Sequence, residues 1–86
     1  MSKKFQVKLS NRARHNLKMI PSPWQARIIE AIDIISQNPF LYKKMWGKLA
    51  DKRRMRLWPY RVVYEVDEKH GVVYILNIGQ RGSIGY

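Results

Sequence analysis

Residues 54–78 read RMRLWPYRVVYEVDEKHGVVYILNI, and this stretch decides the fold. Residues 54–57 alternate basic and apolar side chains, residues 61–66 are rich in β-branched side chains, and residues 72–78 are almost entirely apolar. These patterns are typical of strands. Pro59 separates the first two strands, and Gly71 follows a charged run in a way that suits a hairpin turn with a positive φ. The sequence therefore predicts three consecutive strands joined as an antiparallel meander.

The N-terminal half adds a strand and two helices. Residues 5–9 alternate apolar and polar side chains, which predicts a half-buried strand. Ser10 or Asn11 can cap a short helix that runs to about Met19, with Leu17 and Ile20 facing inward. The run Pro21-Ser22-Pro23 breaks that helix.

A second, longer helix follows directly. We expect Ser22 as its N-cap, Pro23 at its first position and Gln25 as a capping-box partner. Apolar residues recur at helical spacing up to an end near Asn38-Pro39, and residues 39–53 are interpreted as a loop. The fold class predicted is α+β: an N-terminal strand, a helical hairpin and a three-stranded antiparallel meander, in a single domain of residues 1–86. The apolar residues at helical spacing in the second helix form its apolar stripe, which consists of Trp24, Ile28, Ala31, Ile32 and Ile35.

Composition limits the classes of function. The chain contains no cysteine and only two histidines, far apart in sequence, so we expect no metal site and no cofactor. No apolar run approaches the roughly 18 residues of a membrane span, and we expect a cytoplasmic protein without a membrane partner. Seventeen lysines and arginines against six acids leave a net charge of +11. Such an excess indicates a polyanionic partner, nucleic acid first.

The positive charge is concentrated between residues 43 and 61, where Asp51 is the only acid. Strand alternation places Arg54 and Arg56 on one face, and Arg61 on the neighbouring strand can share it. Three guanidinium groups can thus converge and bind a polyanion. The alternatives are a solvated basic face, or an ion pair of Arg61 with a glutamate. The basic residues of this segment are Lys43, Lys44, Lys48, Lys52, Arg53, Arg54, Arg56 and Arg61, and the candidate glutamates are Glu30 and Glu65.

Aromatic residues cluster in the same segment. Six of the ten lie between positions 40 and 64. We expect Tyr64 and Phe40 in the core, whereas exposed Trp46, Trp58 or Tyr60 could stack on nucleic-acid bases.

The combined motifs resemble the RelE/ParE toxin superfamily. The resemblance rests on Lys44-Met45-Trp46-Gly47, on the two strands around Arg56 and Tyr60-Arg61, and on Ile78-Gly79-Gln80-Arg81 with a closing Tyr86. It spans nearly the whole chain and implies the same helical hairpin on an antiparallel sheet. It also implies an antitoxin partner, which we expect to be acidic.

The superfamily contains two activities. RelE-like members cleave mRNA in the ribosomal A site, whereas ParE-like members inhibit DNA gyrase. The basic set of the RelE-like pattern is present, so the resemblance implies a metal-independent endoribonuclease. The catalytic residues it implies are Arg54, Arg56, Arg61, Arg81 and Tyr86, and the RNA-binding or ribosome-binding residues expected are Lys44, Lys48, Lys52, Arg53, Trp58 and Tyr60.

The identity of the general base stays open at this point. Arginine replaces the lysines of well-known members at positions 54 and 56, and a guanidinium remains protonated. Tyr86 is the first candidate, because surrounding positive charge would lower the pKa of its phenol. Lys48 and Lys52 are alternatives, and His70 is less suitable because it lies in a predicted turn. Two further functions remain open: a gyrase inhibitor, or a nucleic-acid-binding module without chemistry.

Overall fold

The computed structural model describes residues 4–42 and 52–80. The predicted α+β class is confirmed: an N-terminal strand precedes a helical hairpin, and three strands follow. The elements are β1 (Gln6–Leu9), α1 (Asn11–Met19), α2 (Ser22–Gln37), β2 (Lys52–Leu57), β3 (Tyr60–Asp67) and β4 (Val72–Gln80).

The four strands form one sheet in the order β1-β4-β3-β2. As predicted, β2, β3 and β4 form an antiparallel meander. The first strand lies parallel to β4, with Gln6 opposite Val72. Backbone hydrogen bonds from Gln6 to Gly71 and from Ser10 to Ile75 extend this pairing at both ends. β1 therefore occupies one edge of the sheet and β2 the other.

Helix α1 is capped as predicted. The hydroxyl of Ser10 accepts a hydrogen bond from the Ala13 amide and donates one to the carbonyl of Leu76 in β4. Ser10 therefore ends the first strand, starts the helix and joins both to the sheet. Ile20 is buried and Leu17 packs against the core, as the sequence indicated.

The predicted cap of α2 is wrong. Pro21 is the N-cap, Ser22 is already helical and no side-chain cap is formed. The side-chain Nε2 group of Gln25 donates to the Leu17 carbonyl instead of closing a capping box. This contact ties the two helices together, because the linker of two residues brings the end of α1 next to the first turn of α2.

The core lies between the helices and one face of the sheet. It combines the predicted stripe of α2 with inward-facing residues of β3 and β4. Fully buried members include Ala13, Ile28, Ile35, Val62, Tyr64, Val73 and Ile75. Trp24 packs against this core but is only partly buried.

Tyr64 is buried as predicted, whereas Phe40 is 44% exposed. The Tyr64 hydroxyl donates to the carbonyl of Pro39 at 2.7 Å, which fixes the chain just before Phe40. The Phe40 ring remains outside the core and forms a T-shaped contact with the Phe5 ring. Core membership of Phe40 was therefore a wrong prediction, because Tyr64 already fills the space beneath this loop.

The turn between β3 and β4 has the predicted glycine in a left-handed conformation, with a φ of +67° at Gly71. The β2–β3 connection consists of Trp58 and Pro59 alone, and their peptide bond is cis. Within the described ranges, no helix is long and apolar enough to cross a membrane.

Candidate functional site

Two arginines lie side by side on the sheet face that points away from the helices. In the β2–β3 register, Arg56 is opposite Arg61 and Arg54 is opposite Val63. Directly opposed residues have Cβ atoms about 4.5–5.5 Å apart. The alternating residues Met55 and Val62 are buried in the core, so the arginines project to the other side. The predicted convergence of three arginines on one face is confirmed.

No carboxylate neutralises this cluster in the part of the chain that the structure describes. Arg54, Arg56 and Arg61 make no hydrogen bond or ion pair with another side chain of residues 4–42 and 52–80. The carboxylate of Glu65, which lies on the same strand and the same face as Arg61, is 3.4 Å from the Lys52 ammonium instead. Within the described residues, Arg61 therefore forms no ion pair with a glutamate, which was one of the alternatives that the sequence left open. The outer face keeps an excess of positive charge.

The tip of the β2–β3 hairpin forms a small cleft beside these arginines. Arg56, Arg61, Trp58 and Tyr60 line it, and its volume is about 100 Å³. Pockets for whole small molecules typically measure roughly 300–1,000 Å³. The cleft is thus of a size for one phosphate group, with two guanidinium groups as donors. We refer to it as the arginine cleft.

Trp58 lines the arginine cleft and is 66% exposed. Such exposure of a large aromatic ring beside positive charge is typical of a surface on which a base stacks. A second cleft of about 440 Å³ lies on the other side of Arg56 and is lined by Arg54, Leu41 and Tyr42. Arg56 therefore borders both clefts.

Tyr60 does not have the predicted exposed ring. Its side chain is only 6% exposed, and the ring packs on Trp24 of α2 with centroids 5.7 Å apart. Tyr60 lies on the inner face of β3, where helix α2 covers it. Tyr60 still borders the arginine cleft, but its covered ring is not accessible to a stacking base. The predicted exposed stacking ring at Tyr60 is therefore wrong.

Arg53 and Lys52 differ from the outer arginines. The guanidinium of Arg53 donates to the Tyr42 carbonyl at 2.7 Å and lies over the Phe40 ring. Alternation turns Arg53 to the opposite face from Arg54, and its guanidinium holds the loop, whereas binding of RNA by Arg53 stays a prediction. Lys52 shares the outer face with Arg54 but is held by Glu65.

Among residues 4–42 and 52–80, candidates for a general base are sparse around this cluster. His70 lies in the turn after β3. The last residue of that strand, Asp67, is six residues from Arg61, a distance of roughly 20 Å, so His70 is far from the arginine cleft. The ring of His70 is hydrogen-bonded to Asp67 at 2.8 Å, and this bond holds the pKa of Asp67 below its usual value. Burial raises the pKa of Tyr64 to about 12, so its phenol remains protonated at neutral pH. Of the predicted site residues, Lys44, Lys48, Arg81 and Tyr86 lie outside the described residues, as does Trp46.

Sequence reasoning missed one polar pair. The Nδ2 group of Asn16 on α1 donates to Oδ1 of Asn77 on β4 at 2.7 Å. The two residues are 61 positions apart, and no periodicity links a helix residue to a particular strand residue. No sequence signal could have indicated this contact.

Comparison with known proteins agrees with this geometry. The family model described as the ParE toxin of the type II toxin–antitoxin system, parDE, matches residues 7–85. The chain therefore belongs to this toxin family, within the RelE/ParE superfamily that its motifs resemble. Toxin RelG of Mycobacterium tuberculosis is 29% identical over 82 residues, which cover 93% of this chain and 94% of that toxin.

Solved structures show the same fold. A chain of the toxin–antitoxin complex RelBE2 from M. tuberculosis matches with a TM-score of 0.84 and 28% identity, covering 92% of this chain and all of that chain. A chain of the archaeal RelE–RelB complex from Pyrococcus horikoshii matches with a TM-score of 0.77 and 29% identity, covering 95% of this chain and all of that one. The chain is therefore a type II toxin of the RelE/ParE superfamily.

Proposed function

We propose that this toxin is a metal-independent endoribonuclease that cleaves mRNA in the ribosomal A site and so inhibits translation. The observation that carries the proposal is the pair Arg56 and Arg61, opposed across β2 and β3 without a neutralising carboxylate in the described ranges and beside an exposed Trp58. A surface that only needs to be solvated does not require two adjacent guanidinium groups that repel each other. A phosphate group that is bound by both guanidinium groups removes that repulsion.

The proposed reaction is an internal transesterification. The 2′-oxygen of the ribose attacks the adjacent phosphorus, and the bond from phosphorus to the 5′-oxygen of the next nucleotide breaks. The proton of the 2′-hydroxyl passes to a base, and the departing 5′-oxygen receives a proton. The products are a 2′,3′-cyclic phosphate and a 5′-hydroxyl end. Charge accumulates on the phosphate in between, where guanidinium groups form paired hydrogen bonds.

In this proposal Arg61 binds the scissile phosphate, and Arg56 with Arg54 neutralises charge at the same position. Arg81 stabilises the leaving group, and Tyr86 is the first candidate for the general base. Loss of one preorganised donor of this kind typically costs about 2.7–4 kcal/mol of transition-state stabilisation. Lys48 and Lys52 remain alternative bases.

Binding of the RNA extends beyond the phosphate. Trp58 offers an exposed ring for stacking next to the arginine cleft, a contact typically worth roughly 1–3 kcal/mol per base. Lys44, Lys48 and Lys52 are proposed to contact the RNA or ribosome backbone. Arg53 stays in this set as a proposal, and its guanidinium also holds the Tyr42 loop. Tyr60 is left out as a stacking residue because its ring packs on Trp24.

We further propose an antitoxin protein as the partner of this chain. Two of the structures it resembles are toxin–antitoxin complexes. The net charge of +11 favours an acidic antitoxin that covers the outer sheet face with Arg54, Arg56 and Arg61, which we call the arginine face. Competition between such a protein and RNA for the same face would make the toxin inactive in the complex.

The decisive experiment places the purified protein on programmed ribosomes and maps new 5′ ends by primer extension. Arg61→Ala tests the phosphate site, and Arg14→Ala, an exposed arginine of α1, controls for the loss of one positive charge. Discrete A-site cuts with cyclic phosphate ends that persist in Arg14→Ala but fall by about 10²-fold or more in Arg61→Ala support the proposal. Intact mRNA with folded wild-type protein would reject it.

The family model itself favours a second candidate, because its description is that of ParE. In that case the toxin would inhibit DNA gyrase and cleave no RNA. A supercoiling assay with purified gyrase separates the two: inhibition of gyrase without mRNA cleavage assigns the chain to that function. Salt-sensitive RNA binding with neither effect would indicate a binding module without chemistry.

A further inference from the structure

A third cleft lies on the inner side of the arginine cleft, between the end of α1 and the end of β4. Its volume is about 390 Å³, within the roughly 300–1,000 Å³ typical of ligand pockets. Tyr60 lines both clefts, and its strand neighbour Arg61 belongs to the arginine cleft. A nucleotide whose phosphate is held by Arg61 could therefore reach the second space past Tyr60. We call it the amide cleft, after Asn16 and Asn77.

The hydrogen-bonding groups of this cleft come from the Asn16–Asn77 pair. One amide NH₂ donates to the other amide oxygen at 2.7 Å, and both side chains are half-buried. Whichever way the two amides are oriented, one carbonyl oxygen and one NH₂ group remain without a partner in the described ranges. One acceptor and one donor on neighbouring side chains match the edge of a nucleobase, which also carries both donors and acceptors.

The remaining walls suit the faces of a base. Met19 is 72% exposed at the rim, and Ile20 and Pro21 supply apolar surface. None of the described residues that line the amide cleft carries a charge. Such a space is poorly suited to a phosphate, which requires charged or multiple donors. It is suited to a flat, neutral group with a polar edge.

We propose that the amide cleft binds a nucleobase of the RNA whose phosphate lies on Arg56 and Arg61, and that it contributes to the choice of cleavage position. This inference rests on the proposed endoribonuclease activity and adds a site for base recognition to it. Asn16 and Asn77 are specificity residues here: they contact a base and take no part in the transfer of protons or of the phosphate.

The test compares the base composition of cleavage positions across a transcript pool on ribosomes. Asn16→Ala and Asn77→Ala each remove one half of the pair, and we expect the preference at one position near the cut to weaken about 5-fold or more. Ser10→Ala is the matched control, because it removes another hydrogen bond between α1 and β4 that lies outside the cleft. It should lower the melting temperature and leave the preference unchanged.

The outcomes separate the two proposals. No cleavage by the wild type rejects the endoribonuclease, whereas cleavage with the same base distribution in both asparagine variants, or without any preference in the wild type, overturns the amide cleft alone. If the variants do not fold, the wild type is titrated with the four nucleoside monophosphates while the side-chain amide signals of Asn16 and Asn77 are followed by NMR. Shifts of these signals support the site, and their absence at millimolar nucleotide overturns it.

Discussion

Arg56 and Arg61 are direct cross-strand neighbours, and no carboxylate of the described residues bridges them. Like charges opposite each other on a sheet destabilise it. The hairpin that carries the candidate site is therefore less stable than the same hairpin without one of these charges. An anion between the two guanidinium groups reverses the effect.

Replacing one member of this pair should therefore increase stability while it weakens function. We expect Arg56→Gln to raise the free energy of unfolding by up to about 1 kcal/mol at low ionic strength. The gain should shrink as salt screens the repulsion. Urea unfolding at two salt concentrations measures it, and Arg54→Gln, opposite Val63, is the matched control with a smaller gain. A lower stability of Arg56→Gln than of the wild type at low salt would show that repulsion between Arg56 and Arg61 does not destabilise the hairpin.

Anion binding offers a second measurement of the same pair. Inorganic phosphate should raise the melting temperature of the wild type more than that of Arg56→Gln or Arg61→Gln, since a bound anion stabilises only the folded protein. Potassium chloride at the same ionic strength separates specific binding from screening. Equal shifts in all three proteins would show that the arginine cleft does not bind phosphate.

Adjacent arginines of β2 should behave in opposite ways, because alternation turns them to opposite faces. Arg53→Gln loses the hydrogen bond to the Tyr42 carbonyl and the contact with Phe40, and we expect it to lower the free energy of unfolding by roughly 1–2 kcal/mol. Arg54→Gln should leave stability nearly unchanged and weaken RNA binding. Thermal unfolding and RNA binding at two salt concentrations test both. The reverse pattern would show that the faces are assigned wrongly.

The two tyrosines of β3 form another matched pair. Both are buried on the same face, but only the Tyr64 hydroxyl has a hydrogen-bond partner among the described residues, the Pro39 carbonyl. Tyr64→Phe should therefore cost about 1–3 kcal/mol of stability. Tyr60→Phe should change stability by less than about 0.5 kcal/mol. Urea unfolding compares them, and equal losses would mean that the Tyr64 bond contributes little.

The pairing of His70 with Asp67 makes stability depend on pH in acid. The hydrogen bond from His70 holds the pKa of Asp67 below the value it has in the unfolded chain, about 3.9. Its contribution is therefore fully present above that unfolded value and is lost as the pH falls through the lower, folded value. The melting temperature of the wild type should decline more steeply below pH 4 than that of Asp67→Asn. Parallel curves would show that this pair does not stabilise the fold.

Much of the fold could be predicted because alternation along a strand is a local property. The faces of Arg54, Arg56 and Arg61, the burial of Val62 and Tyr64 and the glycine turn at residue 71 all follow from residues next to each other in sequence. The exposure of Trp58 was one of the predicted options, and its place in a two-residue connection agrees with it. The helix stripe was equally local, with a period of 3.6 residues.

What covers each face depended on segments far apart in the chain. Tyr60 is buried because Trp24 of α2 lies over it, Phe40 remains exposed because Tyr64 holds the loop at Pro39, and Arg53 is bound to Tyr42. Asn16 and Asn77 are in contact because α1 packs on β4. The parallel pairing of β1 with β4 also joins two segments that are far apart in the chain. The sequence by itself determined the order of elements, the side to which each strand residue points and the charge of the arginine face. Only the tertiary structure decided which side chains lie together, because packing between distant segments selects the neighbours that local periodicity leaves open.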